Sequence, residues 1–219
     1  MKKTILFDLD GTLTDSGEGI INCAILALEH FGLPVPSRDE MRVFVGPPLH
    51  DTFIKFGVPE DKTDEAIAVY RSRYIPIGKF ENTLYPGIRE MLAALQAEGH
   101  KLFVATSKPE TTSIEILEHF DLAKYFTQIC GSALDRSRVS KEDVIAYLLA
   151  QNEADEQIIM VGDTAFDVIG AKKHGIPTIG VSWGYGKVED MKAAGAARIV
   201  YSTNELFAQL TDKCSFCNP

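Results

Sequence analysis

This 219-residue chain has no run of basic residues, no long apolar stretch, and no internal repeat or low-complexity tract. Each absence removes a class of function. With 22 Lys and Arg against 31 Asp and Glu the net charge is −9, which argues against a nucleic-acid polymer as partner, because phosphate backbones are held by clustered cations. No segment approaches the roughly 18 consecutive apolar residues that read as a membrane span, so no membrane partner is expected. Met1-Lys2-Lys3-Thr4 runs straight into a short apolar strand, without the longer apolar stretch and small-residue cleavage site of a secretory signal, and a cytoplasmic location is the expectation. Cysteine is scarce, at four residues. Cys23 and Cys130 lie in apolar runs and read as reduced core residues. Cys214 and Cys217 form a CxxC near the C-terminus, but no second Cys or His pair is spaced for zinc and no thioredoxin-like strand and helix surrounds them. They read as part of a frayed tail.

What is present is a globular pattern, with 45% hydrophobic residues in a length that suits one domain carrying a substantial insertion, or two unequal domains. Three short apolar runs each end in a polar residue of chemical interest: Ile5-Leu6-Phe7 before Asp8, Leu102-Phe103-Val104-Ala105 before Thr106, and Ile158-Ile159-Met160-Val161 before Gly162-Asp163. Such runs between helical stretches mark a doubly wound parallel sheet covered on both faces. Further strands are expected at Gln128–Cys130, Thr178–Val181 and Arg198–Tyr201. Proline and glycine punctuate the helices: Pro86 at a first helical position leads to a stop at Gly99, Pro109 opens a helix to His119, and a helix from Asp163 to His174 ends at Gly175. Residues 16–82 carry helical rather than strand patterning. One helix there spans Gly17–Phe31, with Ile20, Ile21, Ala24, Leu28 and Phe31 on one face, and others are expected over Ser37–Phe44, Pro48–Phe56 and Asp61–Tyr74. The predicted fold class is α/β, a doubly wound parallel-sheet core formed by residues 1–15 and 83–219, with an inserted α-helical cap domain over residues 16–82.

The segment Phe7-Asp8-Leu9-Asp10-Gly11-Thr12-Leu13-Thr14 carries the chemistry. At the C-terminal end of a buried strand, Asp8 and Asp10 sit where open parallel sheets bind ligands, and two negative charges so close need a cation, which implies a magnesium site. Asp8 is the candidate nucleophile, since a carboxylate can attack phosphorus and divide hydrolysis into two steps. Asp10 is the candidate general acid/base, protonating the leaving oxygen and later activating water. Gly11 lets the backbone bend sharply, and Thr12 can hydrogen-bond near the nucleophile or its loop. Thr106 offers a hydroxyl, and the backbone amides after it lead towards the helix at Pro109, a setting suited to a phosphate oxygen. Lys141 follows Ser140 in what reads as a capping box, in a first helical turn where the macrodipole disfavours a cation by up to about 1 kcal/mol. A broken local rule of this kind suggests a cation that neutralises a phosphoryl group and clustered aspartates. Asp163 and Asp167 would share one helical face if both were helical. Four carboxylates converging on one sheet edge require a hard cation, with Asp163 as a further ligand and Asp167 orienting the site through Lys141 or a metal-bound water.

Taken in order, Asp8-Leu9-Asp10-Gly11-Thr12, Thr106, Lys141 and Gly162-Asp163-Thr164-Ala165-Phe166-Asp167 resemble the four motifs of the haloacid dehalogenase superfamily of phosphatases, over all of the chain except the tail after Leu210. The resemblance implies a Rossmann-like core with a helical cap inserted just after the first motif, and a phosphoaspartate intermediate on Asp8. It also implies magnesium held by Asp8, the backbone carbonyl of Asp10, and Asp163. Within the superfamily the chain is most similar to the phosphoglycolate phosphatase and 5′-nucleotidase-like group. The implied function is magnesium-dependent hydrolysis of a small phosphorylated metabolite, phosphoglycolate phosphatase-like, with nucleoside monophosphates as the alternative. Asp10 argues against haloalkanoate chemistry, because the dehalogenases lack that aspartate, and against phosphonate cleavage, whose enzymes carry alanine there. Ile20 stands where the hexose phosphomutases carry a cap histidine, so mutase activity is disfavoured. Ser107 stands where many relatives have asparagine, and Lys141 lies in Arg138-Val139-Ser140-Lys141-Glu142 rather than a Lys-Pro context. Thr12, Ser107 and Lys108 are expected to bind substrate. In the cap, Arg42, and Arg71 with Arg73 and Tyr74, are candidates for holding a carboxylate, second phosphate or base. A signalling receiver also uses aspartate, hydroxyl and lysine, but has no cap, and its acceptor does not lie on the first strand before Gly-Thr. A non-catalytic small-molecule binding module is weighed against by the complete acidic set. The apolar helical faces are compatible with a monomer or a homodimer.

Overall fold

The computed structural model describes residues 2–135, 137–153 and 157–212, so Cys214 and Cys217 lie outside the described residues. In chain order its elements are β1 (Thr4–Phe7), β2 (Thr14–Asp15), α1 (Gly17–His30), α2 (Arg38–Met41), α3 (Leu49–Lys55), α4 (Thr63–Tyr74), β3 (Thr83–Leu84), α5 (Ile88–Ala97), β4 (Lys101–Pro109), α6 (Glu110–His119), β5 (Gln128–Ser132), α7 (Lys141–Gln151), β6 (Ile158–Gly162), α8 (Ala165–Lys172), β7 (Thr178–Val181), α9 (Val188–Ala194), β8 (Arg198–Val200) and α10 (Thr203–Thr211). Six strands form one sheet in the order β5-β4-β1-β6-β7-β8, with every neighbouring pair parallel, and β2 and β3 form a separate two-stranded sheet.

The strand β1 is apolar along its length because it is covered on both faces. Side chains alternate across a strand, and here Ile5 and Phe7 join the cluster that holds Leu92 and Leu95 of α5, Leu117 of α6 and Leu206 of α10. Leu6 points the other way, into Phe103, Met160, and Val144 and Ile145 of α7. Helices therefore flank both faces of a parallel sheet, and the fold is α/β and Rossmann-like. From β1 the chain steps to β4 and β5 on one side, then crosses to β6, β7 and β8 on the other. Phe7 thus lies opposite both Val104 and Val161. The reversal of direction beside β1 is the switch point, outside whose carboxyl ends open α/β sheets bind ligands.

Some boundaries differ from expectation for local reasons. The helix expected to begin at Pro86 starts at Ile88, behind Gly87 in a left-handed conformation at φ 80°. The second core strand continues past Ala105 to Pro109, across a break in its register with β5. The helix expected from Asp163 begins at Ala165, because Thr164 is extended (φ −124°, ψ 161°) and its N–H donates to Asp167 Oδ2 at 3.0 Å. Asp163 therefore stands at a strand end and Asp167 in the first helical turn, not on one helical face.

The chain divides into two compact units, Met1–Thr14 with Leu84–Pro219, and Asp15–Thr83. In the second, α1 packs against α4 and buries Ile20, Ile21, Ala24 and Leu28. Phe44, Phe53 and Tyr70 make edge contacts at ring separations of 5.1 and 6.4 Å. Among the described residues no helix is long and apolar enough to cross a membrane, and Cys23 and Cys130 are buried free thiols.

Candidate active site

The adjacent strands β1, β4 and β6 each deliver residues to the same sheet edge. Asp8 follows β1, its N–H donating to Val161 O of β6 at 2.9 Å. Thr106 lies on β4, and its hydroxyl hydrogen-bonds the Asp8 carboxylate. Asp163 follows β6, and Asp167 is the third residue of α8, pinned by the Thr164 hydroxyl, which donates to its Oδ2 at 2.8 Å. Gly162 makes this fold-back feasible: a Cβ there would overlap the Asp167 carboxylate.

Lys141, the first residue of α7, is enclosed by three oxygens. Its Nζ lies 2.7 Å from Asp8 Oδ1 and 2.7 Å from Asp167 Oδ1 as ion pairs, and it donates to the Ala105 carbonyl at 2.8 Å. The ammonium has three donors and meets three acceptors. The capping box expected at Ser140 is present, with Asp143 N–H donating to Ser140 Oγ at 3.1 Å, so the macrodipole penalty on Lys141 is accepted in exchange for these contacts. Burial alone would push the lysine towards its neutral form, but the charges of Asp167 and Asp8 outweigh burial and hold it above its ordinary value.

Lys108 serves a second carboxylate. Its Nζ donates to Asp10 Oδ2 at 2.6 Å, and Asp10 Oδ1 is buried without a hydrogen-bond partner among the described residues. Thr12 Oγ1 donates to Asp163 Oδ1 at 3.2 Å. Asp8, Asp10, Thr12, Thr106, Lys108, Lys141, Asp163 and Asp167 are thus brought together. Ser107 is exposed. Arg42 and Arg73 belong to the Asp15–Thr83 unit, where Arg73 donates through both terminal nitrogens to Glu81, at 2.7 and 2.7 Å.

The donor set fits a hard dication. Asp8, Asp163 and Asp167 each place an oxygen within 4.8 Å of the others, and all three are buried. Burial raises Asp8 to about 6, with the nearby Asp167 charge adding to the shift and Lys141 opposing it. Burial raises Asp163 to about 8, with the Asp167 and Asp8 charges adding to it and the backbone N–H groups of Tyr185 and Gly186 opposing it. When ionised, three carboxylates outnumber the one ammonium by two charges, which a dication would balance, and carboxylate oxygens are the ligands magnesium prefers. Asp167 stands closer to this cluster than expected, as a member of it as well as the partner of Lys141. The Tyr185 N–H donates to Asp163 Oδ2 at 2.8 Å, a contact the sequence reading did not foresee. The only sequence signal was the alternation of glycine in Trp183-Gly184-Tyr185-Gly186 after a predicted strand.

A parallel α/β sheet with a buried aspartate cluster and an enclosed lysine at its switch point places this chain among α/β proteins with an acidic candidate site at the sheet edge. The chain belongs to the haloacid dehalogenase-like hydrolase family, whose model matches residues 5–181. It is 47% identical over 186 residues to the tyrosine-protein kinase PtkA of Mycobacterium tuberculosis, covering 84% of this chain and 64% of that protein. The chain therefore spans less than two thirds of the length of these first curated relatives. It is 42% identical over 191 residues to a 5′-nucleotidase of Pseudomonas aeruginosa, covering 86% of each. Among solved structures it is similar to a predicted phosphatase from Clostridium acetobutylicum, with a TM-score of 0.90 and 44% identity, covering 96% of this chain and 99% of that one.

Proposed function

We propose that this protein is a magnesium-dependent phosphomonoester hydrolase working through an aspartyl-phosphate on Asp8. The observation that carries the reading is the enclosure of Lys141 by Asp8, Asp167 and the Ala105 carbonyl beside a buried Asp163. Magnesium, held by Asp8, the Asp10 carbonyl and Asp163, would supply charge neutralisation of the phosphoryl oxygens. Lys141 fixes the nucleophile's orientation and adds a fixed positive charge where the transferring group gathers negative charge. In the first step a bond forms between an Asp8 oxygen and phosphorus, the ester P–O bond breaks, and Asp10 gives its proton to the leaving oxygen. In the second, Asp10 takes a proton from water as the water oxygen bonds to phosphorus, and the P–O bond to Asp8 breaks to release phosphate. Lys108, paired with Asp10, keeps that carboxyl aimed and balances its charge. Thr106 holds Asp8 before attack.

For substrate, nucleoside monophosphates are supported by the identity to the 5′-nucleotidase across most of both chains. Phosphoglycolate is the competing small phosphomonoester. The similarity to a protein named as a tyrosine kinase favours a second reading in which the phosphoryl group on Asp8 passes to a tyrosine hydroxyl rather than to water. Phosphate release is to be measured with and without magnesium on nucleoside monophosphates, phosphoglycolate, sugar phosphates and pyrophosphate, with Asp8→Asn as the control. Turnover should require magnesium and vanish in Asp8→Asn while the fold persists. Full activity in that variant would remove Asp8 as nucleophile, and labelled phosphate on tyrosine without release would favour the second reading.

A further inference from the structure

The loop Ser182-Trp183-Gly184-Tyr185-Gly186, which follows β7, carries no motif yet touches the acidic cluster beside the Gly11–Thr12 turn. The Trp183 indole N–H donates to the Thr12 carbonyl at 3.2 Å. Thr12 Oγ1 in turn donates to Asp163 Oδ1 at 3.2 Å, and the Tyr185 N–H donates to Asp163 Oδ2 at 2.8 Å. Because Trp183 and Tyr185 share one short loop, these contacts close a ring: loop to turn, turn to carboxylate, carboxylate to loop. Each Asp163 oxygen is gripped from a different chain segment, so rotation of the carboxylate breaks both grips at once. The fit leaves no slack. A Cβ on Gly184 would overlap Asp163 Oδ2, a Cβ on Gly186 would overlap the Asp163 carbonyl oxygen, and one on Gly11 would meet the carboxylate from the turn side. The ring system of Trp183 anchors the loop, packing against the core cluster and lying 6.2 Å from the Tyr85 ring centroid.

We infer that the Trp183–Gly186 loop is a positioning clamp for Asp163, with the Trp183 indole N–H tying it to the Thr12 turn, and that it sets the orientation in which this carboxylate takes magnesium. The inference rests on the metal reading above. Outer partners that orient a metal-ligating side chain commonly carry about 10- to 100-fold in metal affinity. A single hydrogen bond one step further out, worth about 1 kcal/mol, corresponds to about fivefold.

The test is the magnesium dissociation constant of the full chain, measured by calorimetry and by magnesium-dependent thermal stabilisation. Trp183→Phe keeps an aromatic ring and deletes the donor, and should weaken magnesium about fivefold. Gly184→Ala pushes on the carboxylate itself and should weaken it about 10-fold or more. Both should lose kcat at limiting magnesium and regain it when magnesium is raised. Leu206→Ala, a core truncation on α10, should lower the unfolding temperature without moving the magnesium constant. If the loop were merely structural, both loop variants would behave like Leu206→Ala, and that result overturns the clamp. Wild-type protein that neither gives heat nor gains stability with magnesium overturns the metal reading and the clamp with it. Wild type that binds, with both loop variants binding equally well, overturns the clamp alone.

Discussion

Replacing Lys141 by methionine tests the electrostatics of the site most directly. Methionine keeps an unbranched chain of similar length but removes the ammonium from three oxygen partners, two of them carboxylates. Breaking a buried ion pair by deleting one partner costs about 3–5 kcal/mol. For a chain of this size each kcal/mol moves the unfolding temperature by about 2–4 °C, so a fall of about 6–20 °C is expected. Loss of a fixed charge aimed at the transferring group should lower kcat by about 10²–10³ or more. The effect on stability has a pH signature. Lys141 is the main group opposing the rise that burial gives Asp8, to about 6, so without it the folded-state value climbs further. A carboxyl whose folded value lies above its unfolded value keeps a proton that the unfolded chain releases, and stability falls as pH rises through that window. The gap between wild type and variant should therefore widen from pH 5 to pH 8, measured by thermal or urea denaturation without magnesium. A variant within about 2 °C of wild type at pH 8, retaining more than about a tenth of its turnover, would refute the role given to Lys141.

Three further outcomes are expected. Magnesium binding must displace protons held by Asp8 and Asp163, raised by burial to about 6 and about 8, so stabilisation by magnesium should grow between pH 6 and 8 with measurable proton release; a pH-independent effect would contradict the ligand set. Lys108→Ala leaves Asp10 without its 2.6 Å partner and should lower kcat about 10- to 100-fold on alkyl phosphates but far less on aryl phosphates with good leaving groups; an equal loss on both would place Lys108 outside acid catalysis. His100 is buried, and its Nδ1 accepts from the Lys3 N–H at 3.1 Å; burial lowers its affinity for a proton, with Glu98 opposing. The unfolded chain therefore takes up the proton first, and stability is lost as pH falls below about 6.5. His100→Asn, which retains an acceptor but cannot titrate, should flatten that acid slope in urea melts, and an unchanged slope would exclude His100 as its source.

The parts of the site that could be read from the sequence are those set by short-range grammar. Asp8, Thr106 and Asp163 each follow a short apolar run, and Lys141 stands beside a legible N-cap. The placement of Asp167 was half legible: the spacing from Asp163 suggested one helical face, whereas the extended Thr164 puts the two acids on different elements that converge by folding back. The pairing of Lys108 with Asp10 spans 98 residues, and that of Thr12 with Asp163 spans 151. Nothing local announces such contacts, because they are products of strand order. The loop at Trp183 is illegible for the same reason, since the Tyr185 N–H acts on Asp163 after the neighbouring β6 and the Trp183 indole on Thr12 in the turn after β1. Boundaries at Gly87 and Ala165 moved because a left-handed glycine and an extended threonine decide where a helix begins more firmly than a nearby proline or acid.

The position of β1 between β4 and β6 has a consequence for how the molecule opens. Edge strands β5 and β8 each have one neighbour in the six-stranded sheet, and amides there can exchange with solvent through local fraying. Asp8, Thr106 and Asp163 lie on or directly after the inner strands β1, β4 and β6, which separate only when the sheet itself comes apart. The candidate site and the slowest-exchanging amides should therefore be one and the same cooperative unit, so that loss of the site and loss of the fold are a single event.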